Sequence, residues 1–183
     1  GHSGSQHLPY ISDIYERGLS LNVMSKAYGM PGLRIGWIAC ADTGLLQRME
    51  RVKQYLSICN SAPSERLSLI ALQNRDRILA RTCSNIDANL EHLQAFFARH
   101  EALFDWRVSD GSCMAFPRYR GAHGVEACTQ RLLQAAGVLL QPSSIYASSL
   151  TTTPTDRFRI GFGRVGIEAG LAALDEYLAA TAA

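Results

Sequence analysis

From Pro63 onward the apolar residues fall at helical spacing for longer than one ordinary helix. Leu67, Ile70 and Ala71 open the stripe, and Ile86, Leu90, Leu93, Phe96 and Phe97 continue it at i, i+4, i+7, i+10 and i+11. A helical stretch of that length predicts a helix linking two domains. The division is expected between residues 80 and 100, which gives a first domain of residues 1–90 and a second of residues 91–183. With 47% hydrophobic residues among 183, the chain has enough apolar material to bury a core.

Before the stripe, Leu19 to Val23 and Leu33 to Ala39 read as short extended runs, with Gly29, Pro31 and Gly32 punctuating the space between them. A helix follows, carrying Leu45, Leu46, Met49, Val52 and Leu56 on one face. Asp42 or Thr43 is its N-cap, and Arg48, Glu50, Arg51 and Lys53 form a solvated face. Beyond His100, four short strand-like runs are predicted at Leu103 to Val108, Ser112 to Pro117, Gly137 to Gln141 and Arg157 to Phe162. Two helices interrupt or close them, one with Val125, Cys128, Leu132, Leu133 and Ala136 on a face, the other with Ile167, Leu171, Leu174 and Leu178. This half is expected to be α+β or α/β around one main sheet. Ser143 to Thr155, rich in Ser and Thr, reads as a mobile loop, and Gly1 to Ser5 as a tag scar or flexible end.

Charge and composition exclude several classes. A formal net charge of +2, from 18 basic and 16 acidic residues, gives no field for nucleic acid or an anionic membrane. No apolar run reaches the length that spans a bilayer, and the start lacks a signal-peptide pattern, so a soluble protein is expected. The five cysteines lie outside any Cys-x-x-Cys pair and their odd count argues against a full disulfide framework, which points to a reducing cytoplasm. No clustered His and Cys ligands appear, so no metal is expected. Asp13, Glu16 and Glu65 are scattered carboxylates of the solvated or helix-terminal kind.

The chemistry is concentrated in Ser25-Lys26-Ala27-Tyr28-Gly29-Met30-Pro31-Gly32-Leu33-Arg34-Ile35-Gly36-Trp37. A lysine at a strand end among small and apolar neighbours is open to desolvation, which favours the neutral amine that attacks an aldehyde. Glycines let backbone pass close to a bulky group, and Arg34 offers a forked cation suited to a phosphate. Tyr28 and Trp37 are read as packing residues. The segment resembles the lysine signature of class I/II aminotransferases, Ser-Lys-x-x-Gly-x-x-Gly-x-Arg-x-Gly, and agrees with it at each defined position.

A second likeness lies at Phe158-Arg159-Ile160-Gly161-Phe162-Gly163, where the resembled family places a strand arginine that binds the substrate's α-carboxylate. Arg159 occupies that place, and a bidentate guanidinium–carboxylate pair explains the residue type. Arg157 and Arg164 are the neighbouring arginines it must be told apart from. Gly161 to Gly166 also spells Gly-x-Gly-x-x-Gly, but only one helix's worth of sequence follows, so a dinucleotide-binding βαβ unit is rejected.

The resemblance implies an α/β fold, with a C-terminal remnant of the large domain of fold-type I pyridoxal phosphate (PLP) enzymes joined by long helices to a small α+β domain. It implies that Lys26 is catalytic and carries the cofactor, that Arg34 binds the phosphate, with Ser25 as a substitute hydroxyl for cofactor binding, and that Arg159 binds the substrate carboxylate. The partners it implies are small-molecule amino acids and 2-oxo acids, in a homodimer. In the family the preceding half supplies the glycine-rich phosphate turn, the ring stacked on the pyridine and the aspartate that protonates it. Val23 stands where the family commonly has a phosphate-binding Ser or Thr. The chain is therefore expected to be a C-terminal part of an aminotransferase, weak or inactive alone. The alternative is a non-catalytic binding or assembly module on the same fold.

Overall fold

The structure, a computed structural model, describes residues 8–181. Gly1 to Ser5, expected to be a tag scar or flexible end, lie outside the described residues. Two compact units divide between Thr82 and Cys83.

The first unit opens with α1 (Ile11–Ile14) and β1 (Leu19–Val23). A 3₁₀ turn (Pro31–Leu33), β2 (Gly36–Cys40), α2 (Thr43–Ser57) and α3 (Ala62–Gln73) follow. β1 and β2 pair antiparallel from Leu19↔Cys40 to Val23↔Gly36. The second extended run was expected from Leu33 but begins at Gly36. The cause is local: Pro31 presets the backbone of the 3₁₀ turn, and Arg34 ends it in the left-handed region at φ 57°. Gly36 then sits where a Cβ would lie 2.8 Å from the Asn22 carbonyl and 2.9 Å from Val23 Cγ1, so only glycine lets the hairpin close there.

Asp42 caps α2, its Oδ1 accepting from the Leu45 N–H at 2.9 Å. The apolar side of α2 is not covered: Val52, Tyr55 and Leu56 are exposed, Tyr55 to 91%, so the helix is solvated on both faces rather than one. The long helical region is likewise two helices, α3 and α4 (Arg75–Arg99), because Asn74 leaves helical geometry at φ −108°, ψ 22°. Its side-chain amide donates to the Ile70 carbonyl at 2.8 Å, the local bonding that makes Asn a natural stop.

The second unit contains the end of α4, then β3 (Phe104–Asp105), β4 (Met114–Ala115) and β5 (Arg118–Tyr119). It continues with α5 (Gly124–Ala136), β6 (Gln141–Pro142), β7 (Phe158–Gly161) and α6 (Ile167–Thr181). Its core joins Leu93, Phe96 and Phe97 of α4 to Leu132 of α5, Phe158 and Ile160 of β7, and Leu171, Leu174 and Leu178 of α6. Phe96 alone, fully buried, contributes about 2–3 kcal/mol by removal from water.

Where one main sheet was expected there are two small ones, β4–β7–β6 and β3–β5, joined by an isolated bridge between Arg118 and Arg157. Buried Pro117 explains the split: it has no N–H to continue a ladder, so the chain changes sheets after Ala115 and makes β5, which sequence reading did not foresee. β7 pairs antiparallel with both neighbours, so the Gly-x-Gly-x-x-Gly run is not part of a parallel βαβ unit. The expected loop at Ser143 to Thr155 starts with a 3₁₀ turn, Ser143–Tyr146.

Candidate active site

Lys26 lies in the connection between β1 and β2. The Met24 N–H donates to the Ile35 carbonyl at 3.0 Å, and the Met30 N–H donates to the Met24 carbonyl at 2.9 Å, closing the loop at its base and again half-way. Within it the Gly29 N–H donates to the Lys26 carbonyl at 2.9 Å, and Gly29 takes φ +67°. Lys26 therefore starts a tight turn that needs a left-handed residue three positions on, which is the physical role of Gly29. Tyr28 and Trp37 pack with ring centroids 6.5 Å apart, as read from the sequence.

The apolar position of this loop is taken by Met24, fully buried, and the amine is not desolvated by the chain's own residues: Lys26 is exposed, with half-buried Ser25 before it. Arg34 is exposed too, and its Nη1 donates to the Pro31 carbonyl at 3.2 Å. Among the described residues no hydrogen bond joins Ser25, Lys26 and Arg34 to one another. One loop nonetheless carries a primary amine, a hydroxyl and a guanidinium, a donor set that fits an aldehyde bearing a phosphate. An open cavity of about 710 Å³ adjoins the loop, lined by Gly29 to Leu33 and the apolar Leu67, Ile70, Ala71 and Ile78, with Asn74, Arg77 and Arg81 as its polar members.

Arg159 belongs to the second unit. It alternates along β7 with buried Phe158 and Ile160, so its side chain stands on the opposite face of the sheet. Its Nη1 donates to Gln141 Oε1 and to the Tyr146 hydroxyl, both at 3.1 Å. The neighbouring arginines are differently placed: Arg157 Nη1 donates to the Phe116 carbonyl at 3.1 Å, and Arg164 is exposed. Gln141 and Tyr146 escaped sequence reading. The only signal was that Gln141 ends a strand-like run, and its cross-strand partner was not legible.

Comparison with known proteins identifies the family. The family model for aminotransferase class I and II matches residues 9–172. The chain is 33% identical over 169 residues to capreomycidine synthase of Streptomyces vinaceus, an alignment covering 91% of this chain and 42% of that protein. It is 24% identical over 131 residues to the L-aspartate:5-guanidino-3-methyl-2-oxopentanoate transaminase of Pseudomonas syringae pv. syringae, covering 71% and 32%. Among solved structures, a PLP-dependent aminotransferase from Streptococcus suis superposes with a TM-score of 0.85 at 26% identity, covering 94% of this chain and 45% of that one. The chain belongs to the class I and II aminotransferase family and has the fold of the corresponding part of fold-type I enzymes. It spans under half the length of the relatives it matches.

Proposed function

We propose that this chain carries the lysine loop and the carboxylate-binding sheet of a PLP-dependent aminotransferase, which moves an amino group between an amino acid and a 2-oxo acid. What supports the reading is that Ser25, Lys26 and Arg34 all lie on one hydrogen-bonded loop, inside a family match running across both units. Bound PLP supplies an electron sink for the substrate's Cα. Lys26 Nζ would hold the cofactor at its aldehyde end, and the same amine would serve as the general base toward the substrate's Cα proton. Ser25 and Arg34 hold the phosphate, and Arg159 fixes the substrate through its α-carboxylate. A guanidino amino acid is the substrate class to test first, because the P. syringae relative is named for a guanidino oxo acid.

The partners in this reading are small molecules and a second copy of the chain, in a cytoplasmic homodimer. Exposed apolar residues on α2 support association, and five cysteines with no disulfide among the described residues support a reducing compartment. Among the described residues no helix is long and apolar enough to cross a membrane. The same exposed side of α2 favours one other reading, a non-catalytic assembly module on this fold.

Adding PLP to the chain separates the two. A visible absorption band that disappears in Lys26→Ala supports the enzyme; a spectrum identical in both proteins supports the assembly module.

A further inference from the structure

The ring of hydrogen bonds around Arg159 does more than place an arginine on a sheet. We propose that Gln141 and Tyr146 are positioning residues that tie up one terminal nitrogen of Arg159, so that the Nε–Nη2 edge of the guanidinium grips the carboxylate side-on. The inference rests on the reading above that Arg159 receives a carboxylate.

Register supplies the first part of the argument. Gln141 of β6 is the direct cross-strand partner of Arg159 on β7, so the two side chains share a face and stand within reach of each other. Tyr146 arrives from the 3₁₀ turn that follows β6 immediately, and Phe116 packs edge-on against its ring at 6.1 Å and 88°. The turn and the ring contact limit where the phenol oxygen can go.

Donor counting supplies the second. Arg159 Nη1 faces both the Gln141 Oε1 and the Tyr146 oxygen, each at 3.1 Å and themselves 2.7 Å apart, so the two oxygens share one side of that nitrogen. The Tyr146 hydroxyl spends its own proton on Gln141 Oε1 at 2.7 Å, which closes a three-residue ring. A carboxylate bound by two parallel N–H bonds needs a free edge of the fork. The end edge, Nη1 with Nη2, shares Nη1 with these two oxygens, whereas the side edge, Nε with Nη2, keeps all of its donors.

Charge supplies the third. Both groups holding Arg159 are neutral, and among the described residues it makes no ion pair. Other arginines of the same unit are neutralised, Arg99 by Asp175 at 2.6 Å and Arg118 by Asp156 at 2.5 Å. Gln141 and Tyr146 orient the guanidinium without cancelling the charge that an incoming anion needs. A carboxylate at position 141 would orient it equally well and occupy it.

The test is a titration of the 15N-labelled chain with propionate, using propionamide as the uncharged control and following the Arg159 Nε–Hε resonance. The wild-type resonance is expected to move with propionate and not with propionamide. Gln141→Met and Tyr146→Phe should each weaken propionate binding by about tenfold, the effect of losing one orienting hydrogen bond to a charged group. Gln141→Glu should abolish binding while the thermal midpoint stays the same or rises, which a purely structural role for Gln141 does not predict. Wild-type affinity in Gln141→Glu, or binding unchanged in both Gln141→Met and Tyr146→Phe, would overturn the inference while leaving Arg159 as the carboxylate receptor. A wild-type resonance that ignores propionate would remove that receptor role and the inference with it.

Discussion

The buried side-chain amide of Asn89 in α4 donates to the carbonyl of Phe162, just past the end of β7, at 2.8 Å. Its second hydrogen goes to the Arg164 carbonyl at 2.7 Å. One amide thus satisfies two carbonyls of the irregular segment between β7 and α6, and so fixes the exit of the strand that carries Arg159. Asn89 is 3% exposed, so water is no substitute partner for its amide.

Asn89→Ala is therefore expected to destabilise the second unit by about 1–3 kcal/mol, since the buried Phe162 carbonyl loses its donor and the part-buried Arg164 carbonyl loses one that water replaces. Urea denaturation followed by the fluorescence of Trp106 measures this. A loss below about 0.5 kcal/mol would mean that the segment is held by other contacts.

Removing the cap of α2 tests the first unit. Asp42→Ala deletes the acceptor for the Leu45 N–H and should cost about 1 kcal/mol, appearing as faster amide exchange through Thr43 to Met49. Asp42→Asn or Asp42→Ser should restore most of the protection. Equal exchange in all four proteins would show that the cap contributes nothing to the helix.

What was legible in the chain, and what was not, follows the range of the interactions involved. The lysine loop could be read because its turn chemistry is local: Pro31 fixes its own φ wherever it stands, and Gly29 admits the left-handed angle that the turn needs. Asp42 could be read as a cap, and Leu171, Leu174 and Leu178 as a buried stripe, for the same reason. The break at Asn74 was hidden because the apolar stripe continues through it, while the side chain that stops α3 acts on its own backbone. The two-residue strand β5 follows Pro117 and is too short to show a period. Gln141 and Tyr146 could not be assigned to Arg159, because their meeting depends on a cross-strand register set by the whole sheet. The amphipathic pattern of α2 promised a covered face that the described residues of this chain do not provide.

Acid should weaken the second unit through Asp175. Burial pushes its carboxyl upward, but hydrogen bonds from His100 and Arg99, at 2.6 Å each, and their charges outweigh it, leaving the group below the usual carboxylate range. A carboxylate lowered on folding stabilises the fold at pH above its unfolded value of about 3.9, and loses that contribution as pH falls through its native value. Asp175→Asn should be less stable at neutral pH and show a shallower acid transition. A wild-type acid profile in that variant would contradict the assignment.

Alkali should act through Tyr119. Burial, then the neighbouring Cys128, push its phenol up to about 12, and burial raises the Cys128 thiol as well. The fold favours the neutral phenol, so its contribution is complete below the unfolded value of about 10 and disappears as pH rises towards about 12. Tyr119→Phe should flatten the stability profile across that window, leaving only the slope due to Cys128. A profile as steep as that of the wild type would place the alkaline sensitivity elsewhere.

Which amine meets the aldehyde decides whether this loop is the cofactor-bearing element. Incubation of the chain with PLP, borohydride reduction and peptide mapping by mass spectrometry answers this directly. The predicted result is one predominant pyridoxyl-phosphate adduct, on Lys26, that Lys26→Ala abolishes. Label on Lys53 in equal or greater yield, or an unlabelled Lys26, would contradict the assignment of this loop as the cofactor-bearing element.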